Sequence, residues 1–158
     1  MKGLTLLLVS AAAAFALAGS AAAGTQDHVL GGGKSVTDLI NISAHSGPLG
    51  ENPWGHVSAH NQPAYPVEFV VEGDVTCLRV LGNTAVIGIR NTKLEAAGYP
   101  INVYPGTLQY VTDGAMLGIP DAISYQFPIT TVPTVCPVPS MVFTIFPMTQ
   151  GNFVIQDN

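Results

Sequence analysis

Val75-Thr76-Cys77-Leu78-Arg79-Val80-Leu81-Gly82-Asn83-Thr84-Ala85-Val86-Ile87-Gly88-Ile89-Arg90 is the stretch that decides the fold class. Two runs alternate between apolar and polar or small residues, which is the period of a strand. The Gly82-Asn83 pair between them suits a two-residue hairpin turn with positive φ. Pairing outward from that turn sets Val80 opposite Ala85, Leu78 opposite Ile87 and Thr76 opposite Ile89, a nearly apolar face that must meet a core. The other face carries Cys77, Arg79, Leu81, Thr84, Val86, Gly88 and Arg90, a mixture suited to partial exposure. A slip of one residue would turn Arg79 and Arg90 inward at large cost, so burial itself specifies the register.

The same short, turn-bounded pattern recurs on both sides of the hairpin. Strands are expected at 38–45, 55–60, 67–71, 75–81, 84–90, 107–112, 122–127, 141–146 and 152–156. Eight or nine short antiparallel strands predict an all-β chain, a single β-sandwich or a small β-barrel. Residues 127–139 hold Pro128, Pro133, Pro137 and Pro139, so this stretch reads as an extended crossover and not a central strand. Charged residues make up 9% of the chain, against a usual value of about 25%, which removes long solvated helices, coiled coils and charged tails. A net charge of −5 with no cluster of Lys or Arg leaves nothing to neutralise phosphates, so nucleic acid is excluded as a partner.

Residues 1–23 run from a basic start at Lys2 through an apolar stretch to small residues at Ala21 and Ala23, the order of a secretory signal peptide cut near Ala23. The run is short for a membrane helix of about 20 apolar residues, and Gly19 and Ser20 interrupt it. Later apolar stretches are all broken by Pro, Gly or charge, so no integral membrane span is expected after cleavage. The protein is therefore expected to be secreted and extracellular, with 24–158 forming a single all-β domain and 24–36 a flexible lead-in. Cys77 and Cys136 in an exported chain pair most simply as a disulfide. For a loop of about 60 residues the chain-entropy estimate is about 4 kcal/mol.

Side chains that could carry chemistry are few. His45, His56 and His60 fall within 16 positions, and even spacing puts His56 and His60 on one face of a strand. With Glu51 they are candidate ligands for zinc or copper, although the spacing matches no established zinc pattern and the metal stays unassigned. Trp54, in a Pro-Trp-Gly turn near Tyr65, could stack on a sugar ring or plug the end of the sandwich. Asp113 and Asp121 flank a glycine-containing loop but are too few for calcium, and Glu68 and Glu72 share one face of a single strand, unlike opposed glycosidase acids. There is no Gly-x-Ser-x-Gly elbow. No catalytic set is assembled and no cofactor is implied.

Several stretches together resemble a known group. They are 43–56 (Ser-Ala-His-Ser-Gly-Pro-Leu-Gly-Glu-Asn-Pro-Trp-Gly-His), 75–85 (Val-Thr-Cys-Leu-Arg-Val-Leu-Gly-Asn-Thr-Ala), the loop 113–124, and 151–155 (Gly-Asn-Phe-Val-Ile). They look like uncharacterised secreted proteins common in actinobacteria, and related domains have been named post-COAP-1 for their place after an anchoring module. The resemblance implies a small exported all-β domain, with no catalytic residue to carry across. Where related sequences often have a short Asp-Asn-Gly turn, this chain has the apolar insert 113–121. The leading expectation is a secreted non-enzymatic domain with a structural or binding role. The alternatives are a metal- or glycan-binding module built on Trp54, His45, Glu51, His56 and His60, and a small secreted hydrolase or isomerase. Free sheet edges invite pairing, so a homo-oligomer is compatible with the sequence.

Overall fold

The hairpin at Gly82-Asn83 forms as expected. In the computed structural model, which describes residues 26–61, 69–139 and 143–158, Gly82 has φ 59°, and Leu81 pairs with Thr84, Val80 with Ala85 and Leu78 with Ile87. Positive φ at the first loop residue alone is the pattern of a type II′ turn, which matches the twist of the strands it joins. The pairing then departs from strict alternation. Val75 faces Ile89 and Cys77 faces Gly88, so Thr76 is the extra residue of a β-bulge. The bulge returns Val75 to the inward face and leaves the Thr76 hydroxyl free to donate to the Pro133 carbonyl at 2.6 Å.

The hairpin strands, β4 (Phe69–Leu81) and β5 (Thr84–Ala96), belong to a nine-stranded antiparallel sheet with β1 (Asp27–Ser35), β2 (Asp38–Ser46), β3 (Trp54–Asn61), β6 (Gly106–Thr112), β7 (Ala122–Ser124), β8 (Phe127–Ile129) and β9 (Ile145–Gln156). The order is β5-β4-β3-β2-β1-β9-β7-β6, and β6 pairs back onto β5. That last pairing, Thr84 with Thr112 through Arg90 with Gly106, closes the sheet into an eight-stranded barrel, and β8 adds to β6 as the extra strand. The sandwich expectation is thus corrected to the barrel. The reason is that inward residues from every side converge on one interior: Val29, Ile40, Ile42, Val57, Val75, Leu78, Ile87, Ile89, Val111, Ile123 and Phe153 form one buried cluster.

Strand boundaries also differ from expectation. Residues 27–35, read as flexible, form β1, paired with β2 on one edge and β9 on the other. The strands expected at 75–81 and 152–156 are the ends of longer ones, β4 and β9. The strand expected at 122–127 is two pieces broken at Tyr125-Gln126. There Ser124 Oγ accepts the Tyr110 N–H at 3.0 Å and the Gln109 amide donates to the Ser124 carbonyl at 2.9 Å, replacing ladder bonds across the break. The leader 1–23, Tyr65, Glu68 and the strand starts expected at 67 and 141 lie outside the described residues.

Cys77 and Cys136 form the disulfide, with Cα atoms 5.5 Å apart. It lies outside the barrel interior, in a second cluster with Val86 and Tyr110, against which Leu108 and Phe143 pack. The outer face of the hairpin is therefore less exposed than its composition suggests, because the proline-rich crossover lies over it. At Gly88 a Cβ would fall 2.4 Å from Cys77 Sγ and 2.8 Å from Pro133, so glycine there is what lets the crossover approach. Arg79 and Arg90 stay exposed. Among the described residues no helix is long and apolar enough to cross a membrane.

Candidate functional site

Outward alternation on β2 and β3 places the histidines and Trp54 on the outside of the barrel, where the structure brings His45 and Trp54 together but gathers no cluster of all four. His45 and Trp54 are cross-strand partners and stack face to face, ring centroids 3.9 Å apart. Burial and the nearby His28 both push the His45 imidazole below its ordinary value, which favours its uncharged form against the indole. Trp54 remains half exposed and plugs nothing. Glu51 closes its own loop, accepting the Leu49 N–H at 2.9 Å. His56 pairs across strands with Asp74 at 3.5 Å on the surface. His60 lines a shallow outer groove of about 490 Å³ with Gly32, Gly33, Lys34, Asn41, Ser58 and Gln150. Among the described residues no three His, Cys, Asp or Glu side chains come together to hold a metal.

The acidic residues of the 113–121 insert have structural duties. Asp121 accepts the Gly114 N–H at 2.9 Å and the Phe153 N–H at 2.5 Å, which ties the loop to β9. Asp113 accepts the Ala115 N–H at 2.9 Å. The insert itself is a single 3-10 turn, Ala115–Leu117, with Met116, Leu117 and Ile119 exposed.

A different site stands at the end of the barrel where β1 turns into β2 and β3 leads to β4. Its cavity of about 260 Å³ is lined by Thr37, Asp38, Asn61, Phe69, Tyr99, Tyr125, Gln126 and Pro128. Asp38 is the first residue of β2 and shares the inward parity of Ile40 and Ile42, so the strand carries its carboxyl into the barrel mouth. Only 4% of it is exposed. Ser35 Oγ accepts the Asp38 N–H at 2.9 Å, and the Thr37 hydroxyl donates to Asp38 Oδ2 at 2.7 Å, so the carboxyl is held in place by its own turn. Asn61, the cross-strand partner of Asp38, accepts the Phe69 N–H at 2.9 Å. The break between β7 and β8 supplies Tyr125 and Gln126. Gln126 is buried, and its Nε2 has no hydrogen-bond partner among the described residues. Asn91 Oδ1, Thr107 Oγ1 and Gln109 Oε1, on the inward side of β5 and β6, are also buried and unpaired among the described residues. Native structures keep such groups rare.

Burial pushes the Asp38 carboxyl above its ordinary value of 3.8, while the Thr37 hydroxyl and His60 pull it down. The folded state thus holds this proton more tightly than the unfolded chain, so stability falls as pH rises from that ordinary value through the raised folded one. Replacing Asp38 by Asn removes the titration. In melts from pH 3 upward, D38N is expected to gain stability relative to wild type as pH rises through that window and to plateau beyond it. A difference that does not change with pH would contradict the burial of this charge.

None of these pocket residues was read from the sequence as part of a site. Asp38 and Gln126 carry no motif, and only the closure of the barrel brings β2, β4 and the β7–β8 break around one space. The alternation that marks Ile40 and Ile42 as inward would have found Asp38 one step earlier on the same face. Comparison with known proteins adds nothing to this geometry: no protein-family model matches the chain, and no curated protein or solved structure matches it either.

Proposed function

We propose that this protein is an exported, non-enzymatic β-barrel that binds a small organic molecule in the pocket at the Asp38 end. The observation that carries the reading is the buried Gln126 amide, whose Nε2 lacks a partner among the described residues and which lines a cavity with a buried carboxyl and three aromatic rings. Mouths of β-barrels are common ligand sites, and apolar walls with a few fixed polar groups are their usual make-up. Unpaired buried donors are costly, and a ligand oxygen removes that cost. Export is supported by the leader-like composition of 1–23, by the disulfide, which is at home in oxidising compartments, and by the resemblance of 43–56 and 75–85 to secreted bacterial domains.

The test is amide chemical-shift mapping of the mature chain against a set of single-ring aromatic compounds, each recovered afterwards. Hits are expected to move Thr37, Asp38, Asn61 and Gln126 and to come back chemically unchanged. Consumption of a hit would overturn the non-enzymatic reading. Trp54 sits at the far end of β3 from Asn61, about 23 Å away at strand rise, so its fluorescence is not the reporter to use. A second reading, recognition of sugar hydroxyls, is favoured only by the polar outer groove of Asn41, Ser58, His60 and Gln150. Shifts confined to those residues on adding glycans would favour it.

A further inference from the structure

Resting on that reading, we infer that the pocket's ligand is a small organic cation, an ammonium compound that also carries an oxygen able to accept from Gln126. Asp38 is nearly fully buried, the described residues lining the cavity with it include no Lys, Arg or His, and His60, which acts on its carboxyl through space, is exposed on the outer face of β3. Among the described residues the ion pairs are His56–Asp74 and Lys93–Glu95, neither of which reaches it. A buried carboxylate without a counter-charge in contact with it is strongly disfavoured, and an ammonium group supplies that contact. Phe69, Tyr99 and Tyr125 line the same space, and aromatic faces attract cations. Two of these rings pack on further rings: Tyr99 meets Tyr104 edge-on at 5.1 Å and Tyr125 leans on Phe146 at 4.4 Å. The net charge of −5 adds a field that favours the approach of cations over anions within the reach that salt screening leaves it.

A bare ammonium ion leaves the Gln126 donor unsatisfied, which is why the ligand needs an oxygen as well. The cavity, about 260 Å³, limits it to roughly one ring with a short arm. Tyramine combines the three features: an ammonium for Asp38, a ring for the aromatic wall and a phenol oxygen for Gln126. 4-Ethylphenol has nearly the same frame without the charge.

Both compounds are titrated into the mature protein at pH 7, with binding read by calorimetry and by the amide shifts of Asp38 and Gln126. Tyramine is expected to bind at least about tenfold more tightly, the low end for a charge-assisted contact. D38N is expected to erase that preference, leaving 4-ethylphenol within about twofold of its wild-type affinity. Tyr125 is 45% exposed, so Y125L keeps the fold, and it is expected to weaken tyramine several-fold through the lost ring face. The wild-type comparison stands even if D38N does not fold. Equal affinities, or a preference for 4-ethylphenol, overturn the cation while leaving the pocket as a binding site. Failure of both compounds to bind overturns the cation and counts against the pocket reading itself.

Discussion

Breaking the Cys77–Cys136 bridge is expected to lower the melting temperature by roughly 12–20 °C. The bridge joins residues 59 apart, and restricting a loop of that length in the unfolded chain contributes about 4 kcal/mol. For a chain of this size each kcal/mol moves the midpoint by about 3–5 °C. Two routes to the same break separate its contributions. Reduction leaves both thiols in place, so the cluster of Cys77, Val86, Tyr110 and Cys136 keeps its packing and only the restriction on the unfolded chain is lost. The C77A/C136A variant also removes two buried sulfurs from under the crossover and is expected to melt lower still. Calorimetry with and without reductant, beside the double variant, measures both. A fall of less than about 4 °C on verified reduction would mean that residual structure already restricts the unfolded chain without the bridge. The described chain has no free cysteine, so intact mass after alkylation reads the redox state directly.

Alternation carried the sequence reading furthest where the chain alternates cleanly. Leu78, Val80, Ala85 and Ile87 were legible as inward because each neighbour is polar, small or on the covered outer face, and a single Gly-Asn pair set their register. It failed by one residue at Thr76, since a bulge leaves no trace in a pattern of period two until the partner strand is known. It failed more broadly at β1, where Gly31-Gly32-Gly33 supplies no side chains to alternate, although the backbone pairs along both edges. In β9, Pro147 and Gly151 divided on paper what is one strand in space. The choice between sandwich and barrel hung on a single contact, β5 to β6, and such long-range pairing has no local signature. The candidate site was illegible for the same reason. His45, Trp54, His56 and His60 were conspicuous by type and lie close in sequence, yet alternation spreads them along the outside of two strands. Asp38, Phe69 and Gln126 are ordinary residues, far apart in sequence, that closure brings to one rim.

Replacing Phe153 by Ala is expected to cost about 3–5 kcal/mol, the range for a fully buried aromatic. Phe153 is 0% exposed and the largest side chain so buried. It enters the interior from β9 opposite Gly31, among Val29, Ile42, Val111 and Ile123. The wall around it is hydrogen-bonded strand to strand through a complete circuit, so it has little freedom to collapse into the space the ring leaves. That places the expected loss in the upper part of the range, a large fraction of the 5–15 kcal/mol typical of a folded domain. The backbone bond from the Phe153 N–H to Asp121 survives the substitution, so the loss measures packing. F153L, which keeps most of the volume, is expected to cost less than half as much. Because Phe153 and the disulfide belong to clusters with no common member, their losses should add to within about 0.5 kcal/mol when F153L is combined with reduction in denaturant melts. Strong non-additivity would mean that the crossover patch and the barrel interior act as one core. A cost for F153A below about 1.5 kcal/mol would mean that the barrel wall yields, and with it the rigid rim on which the pocket at the Asp38 end depends.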